Sequence, residues 1–182
     1  MIKKTFPALH GGWLTPEQCL MARHALGFNV LDFVNQIDGI QRDTVNRLET
    51  GGGISEANDA RLKAWFREAG VTFIENGVIL SNRLWLLTPV DTTHADWAAS
   101  VHTEPVIVRA MGARRARQMA TLAFGKSTKL VPKQKKQAQN PWRQTARVTA
   151  VLTGPSSFPE DGPEAILDPV TPAAAWRKIL RK

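Results

Sequence analysis

Four times between Leu14 and Gly70 the chain lays down apolar residues at helical spacing and then stops at a glycine. This pattern admits little besides a compact set of short helices. The first predicted helix opens at Thr15-Pro16-Glu17-Gln18, with Thr15 as N-cap, Pro16 at the first helical position and Gln18 completing a capping box. It turns Cys19, Ala22 and Leu26 to one side and ends at Gly27. Asn29 caps a second helix whose Val30, Phe33, Val34 and Ile37 form an inward face, broken by Asp38-Gly39. A third, from about Gln41 to Thr50, buries Val45 and Leu48, keeps its other side polar and stops at Gly51-Gly52-Gly53. Ser55 caps a fourth, in which Leu62, Trp65, Phe66 and Ala69 face inward before Gly70. Val71–Ile74 and Val78–Leu80 then flank Glu75-Asn76-Gly77, a hairpin signal, with Trp85-Leu86-Leu87 extending the second strand or docking beside it.

The sequence has 182 residues, enough for two unequal parts, divided here into 1–90 and 91–182. No apolar run approaches the roughly 18 to 20 residues that span a bilayer, and no cleavable secretory pattern opens the chain. A soluble, cytoplasmic protein without a membrane partner is expected. Cys19 is the single cysteine, which rules out an intramolecular disulfide and a cysteine-rich zinc site. Net charge is +8, but its distribution says more. Between Pro105 and Pro159 stand eleven Lys or Arg residues and no Asp or Glu, so the rest of the chain sums to −3. A polyanionic partner is the expectation for such a stretch.

In the second half, Thr103-Glu104-Pro105 predicts a helix start, and a helix to about Phe124 would leave Arg109, Arg114, Arg115 and Arg117 on its exposed side. The segment Lys126 to Arg147, with Lys133, Lys135, Lys136, Arg143 and Trp142, reads as a basic arm or loop. Trp142 is weighed as a hydrophobic anchor ahead of a base-stacking residue. Thr145–Thr153 alternates like a strand, Gly154–Pro172 reads as irregular, and Ala173–Leu180 as a short final helix. The expected fold class is mainly α: a four-helix helix-turn-helix domain, a small β-hairpin, and a basic, partly irregular α+β C-terminal region.

Three marks carry a resemblance: Ala22-Arg23 before the glycine that ends the first helix, the short turn Asp38-Gly39-Ile40, and Arg47-Leu48-Glu49-Thr50-Gly51 closing the third helix. On these the run from Leu14 resembles the Cro and lambda-repressor-like helix-turn-helix domains of the xenobiotic-response-element type. The tail Glu68–Ile74 with Asn76-Gly77-Val78 resembles a sub-group of short bacterial regulators that add a hairpin, so the likeness covers positions 14 to about 80. The resemblance implies that the third helix enters the major groove of double-stranded DNA. It makes Gln41, Arg42, Asp43 and Arg47 the base-reading candidates, sets Thr44 and Asn46 on phosphates, and gives Arg23 and Glu49 a structural ion pair. It departs from the family at Val30, where many relatives carry glutamine, and in a connection between the second and third helices one residue longer than usual.

For the basic half, phosphate attraction makes Arg114, Arg115, Arg117, Lys133, Lys135, Lys136 and Arg143 the candidates. No catalytic, metal or cofactor constellation is found. His10, His24, His94 and His102 lack ligand spacing, no nucleophile elbow or Walker motif occurs, and the glycine run reads as a loop. The expected activity is therefore that of a homodimeric, sequence-specific transcriptional repressor or autoregulator of a bacterial or mobile-element operon rather than an enzyme. Two alternatives stay open: an anti-defence or antitoxin interaction protein whose C-terminal half contacts another protein, and an RNA-binding regulator using the basic arm.

Overall fold

The computed structural model describes residues 12–74, 77–126, 139–153 and 156–171. The front of the chain forms four helices, α1 (Pro16–Leu26), α2 (Val30–Val34), α3 (Arg42–Glu49) and α4 (Glu56–Glu68). Their ends are set by the local chemistry. The Thr15 hydroxyl accepts from Gln18 N–H while the Gln18 side chain accepts from Thr15 N–H, a complete capping box. Asn29 and Ser55 cap α2 and α4 through their side-chain oxygens. Gly27 closes α1 at φ 84°, a left-handed conformation that side-chain-bearing residues adopt only under strain. The apolar stripes meet in an aromatic cluster, where Phe33 stacks on Phe66 at 5.3 Å and lies edge-on to Trp65 at 5.2 Å.

The hairpin strands β1 (Val71–Ile74) and β2 (Gly77–Leu80) pair antiparallel with Ile74 opposite Gly77. Glu75 and Asn76, on which the expected turn falls, lie outside the described residues. The chain then departs from the sequence reading. Trp85-Leu86-Leu87 does not prolong the hairpin but lies in β3 (Arg83–Pro89), inside a separate four-stranded antiparallel sheet of order β5-β3-β4-β6. Its other strands are β4 (Val106–Ala110), β5 (Val148–Leu152) and β6 (Ala165–Asp168).

Among the described residues the fold is therefore α+β, not mainly α, because this sheet is the frame of the second half. Thr103-Glu104-Pro105 does not start a helix. The Val106-Ile107-Val108 run that follows suits a half-buried pleat and pairs with β3, Trp85 lying opposite Val108. The helix begins only past Gly112, as α5 (Ala113–Phe124). The segment read as irregular contains β6, which pairs with β4. A 3-10 helix spans Ala95–Ala99. The expected final helix, Ala173–Leu180, falls outside the described residues.

One face of the sheet, bearing Trp85, Leu87, Val106, Val108 and Ala150, is fully buried with Ala116, Met119 and Ala120 of α5. These residues belong to the same hydrophobic cluster as the helical unit, which runs from Leu14 to Ile166. The join is visible at Phe28, whose ring lies 5.9 Å from both Trp65 of α4 and Trp85 of β3. Trp85 Nε1 in turn donates to Ala110 O at 3.0 Å. Among the described residues no helix is long and apolar enough to cross a membrane.

Candidate nucleic-acid interface

Helix α3 is anchored from behind. Val45 and Leu48 are buried, and Glu49 at its end accepts two hydrogen bonds from Arg23 of α1, from Nε at 2.8 Å and Nη2 at 2.7 Å. Arg23 spends its remaining Nη1 on Phe28 O at 2.8 Å. A bidentate pair fixes direction as well as distance, so α3 is held against α1 in one orientation. The Glu49 carboxylate, bonded to the guanidinium, holds the Arg23 pKa above its ordinary value despite burial. Cys19, beside the same carboxylate, is pushed well above the usual thiol range by burial first and by Glu49 second, which makes it an inert core residue.

The outer side of α3 has the opposite character. Gln41, Arg42, Asp43, Asn46 and Arg47 are exposed, and Thr44 is half-buried. Asp43 and Arg47 stand at i, i+4, yet among the described residues neither is in an ion pair, and no side chain of this outer group has a hydrogen-bond partner. Arg42, Asp43 and Arg47 thus lie on the solvated side of the helix together with Asn46, and Gln41 is exposed at its N-cap. Sequence reasoning missed one neighbour. Arg61 of α4 reaches the α2–α3 turn, where a Cβ on Gly39 would stand 3.2 Å from its guanidinium, and among the described residues its side chain makes only a long hydrogen bond, 3.5 Å, to Asn58. Nothing local announces this approach, since it depends on how α4 crosses the turn.

The arginines of the second half are distributed differently from the expectation of one exposed helix face. Arg109 is on a strand and buried, donating to Pro159 O at 3.1 Å and Pro163 O at 3.3 Å. Arg115 is held by Glu164 through two bonds of 2.9 and 2.8 Å, which raises its pKa, and also by Gln118. Arg117 is only 5% exposed and donates from Nε to Val148 O at 3.3 Å. Of the phosphate candidates on α5, only Arg114 is exposed. Arg143 is exposed as well. Lys133, Lys135 and Lys136 lie outside the described residues. Trp142 is an anchor: it is fully buried, edge-on to Trp97 at 5.4 Å, and donates from Nε1 to Ser100 at 2.9 Å.

The absence of acids between Pro105 and Pro159 is a feature of the sequence that folding partly offsets. Glu164 reaches Arg115, and Asp96, also bonded by Gln144, reaches Arg147 at 3.4 Å. Among the described residues no group of three or more His, Cys, Asp or Glu is placed to hold a metal ion. Comparison with known proteins finds no family model, no curated protein and no solved structure that matches the chain.

Proposed function

We propose that the protein is a sequence-specific DNA-binding transcriptional regulator, a dimeric cytoplasmic repressor or autoregulator of a bacterial or mobile-element operon, with α3 in the major groove. The observation that carries this reading is the contrast across α3. Its inner side is locked by Val45, Leu48 and the Arg23–Glu49 pair, while its outer side presents polar groups that bond to nothing else among the described residues. A helix anchored from behind with its outer side chains left unpaired is suited to a ligand that brings its own donors and acceptors.

The chemistry of that row fits base edges better than phosphates alone. Arg42 and Arg47 can each donate two hydrogen bonds to O6 and N7 of guanine, Gln41 can pair with N6 and N7 of adenine, and Asp43 can accept from N4 of cytosine. A carboxylate facing a bare phosphate array is repelled, so Asp43 makes sense where a donor meets it. Thr44 and Asn46 supply neutral phosphate contacts that set register. One recognition helix covers only a few base pairs, and a two-fold dimer doubles the site. Selection of bound sequences from a random duplex pool tests the proposal. An enriched motif with two related half-sites supports it; an unenriched pool, or preference for structured RNA in competition, overturns it.

A further inference from the structure

A cleft of about 350 Å³ opens where the end of α1 meets α5 and the chain at 143–145, and its charged lining is unbalanced. Arg114, Arg117 and Arg143 all reach it, and among the described residues no Asp or Glu lines it. Arg114 and Arg143 are exposed at its rim, and among the described residues neither has a hydrogen-bond or ion-pair partner. Arg117 forms the floor. It is 5% exposed, its Nε is taken by Val148 O, and its terminal nitrogens bond to nothing among the described residues.

A guanidinium does not shed its charge in a protein, so three of them around one cleft repel one another until an anion enters. Burial acts against Arg117 in the same sense, pulling its pKa below the ordinary value. Asp32 offsets this only in part, since burial outweighs its attraction. Asp32 lines a second, smaller cleft that Arg117 also borders, and its carboxylate accepts from Asn29 Nδ2 at 2.8 Å. Arg114 is set at the rim by a close approach of the backbone. Gly27, the α1 cap, packs so tightly on α5 that a Cβ there would overlap the Cβ of Arg114.

We propose that this cleft binds a small molecule through a phosphate group, with Arg114, Arg117 and Arg143 as its cationic donors. Gln118 has its side-chain oxygen committed to Arg115, which leaves its amide N–H groups for the ligand, and the exposed Thr145 hydroxyl adds a further donor. The volume stands near the lower end of small-molecule sites, so the phosphate carries room for a compact organic remainder. A duplex backbone is the wrong source of the phosphate. Its phosphates lie on a convex surface, whereas Arg117 is recessed, and no residue of α3 lines the cleft.

The test is calorimetric titration of the full chain with inorganic phosphate, against sodium chloride at matched ionic strength. Saturable binding to the wild type is expected, weakened about tenfold or more in Arg114→Gln and again in Arg143→Gln, since each variant removes one charged donor. Both side chains are exposed, so thermal unfolding of the variants should stay close to wild type. A random duplex serves as the second ligand and should bind the variants as it binds the wild type. Failure of phosphate to saturate, equal binding by wild type and both variants, or loss of duplex binding in its place overturns the proposal. The phosphate readout does not depend on whether α3 reads DNA.

Discussion

The helical unit, residues 12–80, and the sheet unit, residues 83–171, both contain buried arginines, and they treat them in opposite ways. Arg23 meets a carboxylate at two points and a carbonyl at a third, so its charge is neutralised and its donors are largely used. Among the described residues Arg117 has a single carbonyl, and Arg109 only the carbonyls of Pro159 and Pro163. The first arrangement builds a scaffold, because a buried charge with its partners in place needs nothing more from outside. The second leaves cationic capacity unspent beside a cleft. The lesson is that basic residues are informative by what they are bonded to, and counting them along the chain misplaces their function.

Changes that remove the partner, the junction or the outer face sharpen this contrast. Glu49→Ala should have the largest effect, because it strands a buried Arg23. A loss of about 3 to 5 kcal/mol is expected, and the double variant Arg23→Met/Glu49→Leu should recover much of it. Urea unfolding of the wild type, Glu49→Ala and the double variant measures this; a double variant no more stable than Glu49→Ala would mean that the loss does not come from a stranded Arg23.

The junction between the units comes next. Gly27→Ala forces a side chain into φ 84° and into the Cβ of Arg114, so a destabilisation of roughly 2 to 4 kcal/mol is expected, seen as a lowered thermal midpoint. An unchanged midpoint would show that α1 and α5 are free to separate. In a fragment of residues 1–90, β3 is present without β4 and β5, and Gly112 and Arg114 no longer cover the end of α1. The fragment should unfold at a lower temperature than the full chain. A midpoint equal to that of the full chain would mean that the cover which Gly112 and Arg114 give the end of α1 contributes nothing.

The two units also differed in how much the sequence disclosed. The bounds of α1 to α4 follow from groups a few residues apart: Thr15 with Gln18, Asn29 with Asp32, Ser55 with Asn58, and the positive φ of Gly27, Gly39 and Gly70. The Arg23–Glu49 pair came from the resemblance rather than from spacing. The sheet offered no such local handle. Trp85 is opposite Val108 on one side and Leu152 on the other, and pairings at that separation leave no periodic trace in a window of a dozen residues. Misreading Pro105 as a helix start placed Arg109 on the wrong kind of element and all four arginines on one solvated face. Glu164 lies 49 residues from Arg115, so the local excess of positive charge concealed a pair that folding completes. Arg61 beside the α2–α3 turn was illegible for the same reason.

The smallest energy expected is the most direct test of the account's centre, that the free face of α3 reads sequence. Arg42→Ala leaves the buried side of the helix untouched, and its affinity for the selected duplex should fall by roughly 1 to 3 kcal/mol with preference relaxed at one position per half-site. Affinity for a random duplex at the same salt concentration should change little. An equal loss on both duplexes, or no loss on either, would contradict the assignment of α3 as the reading helix.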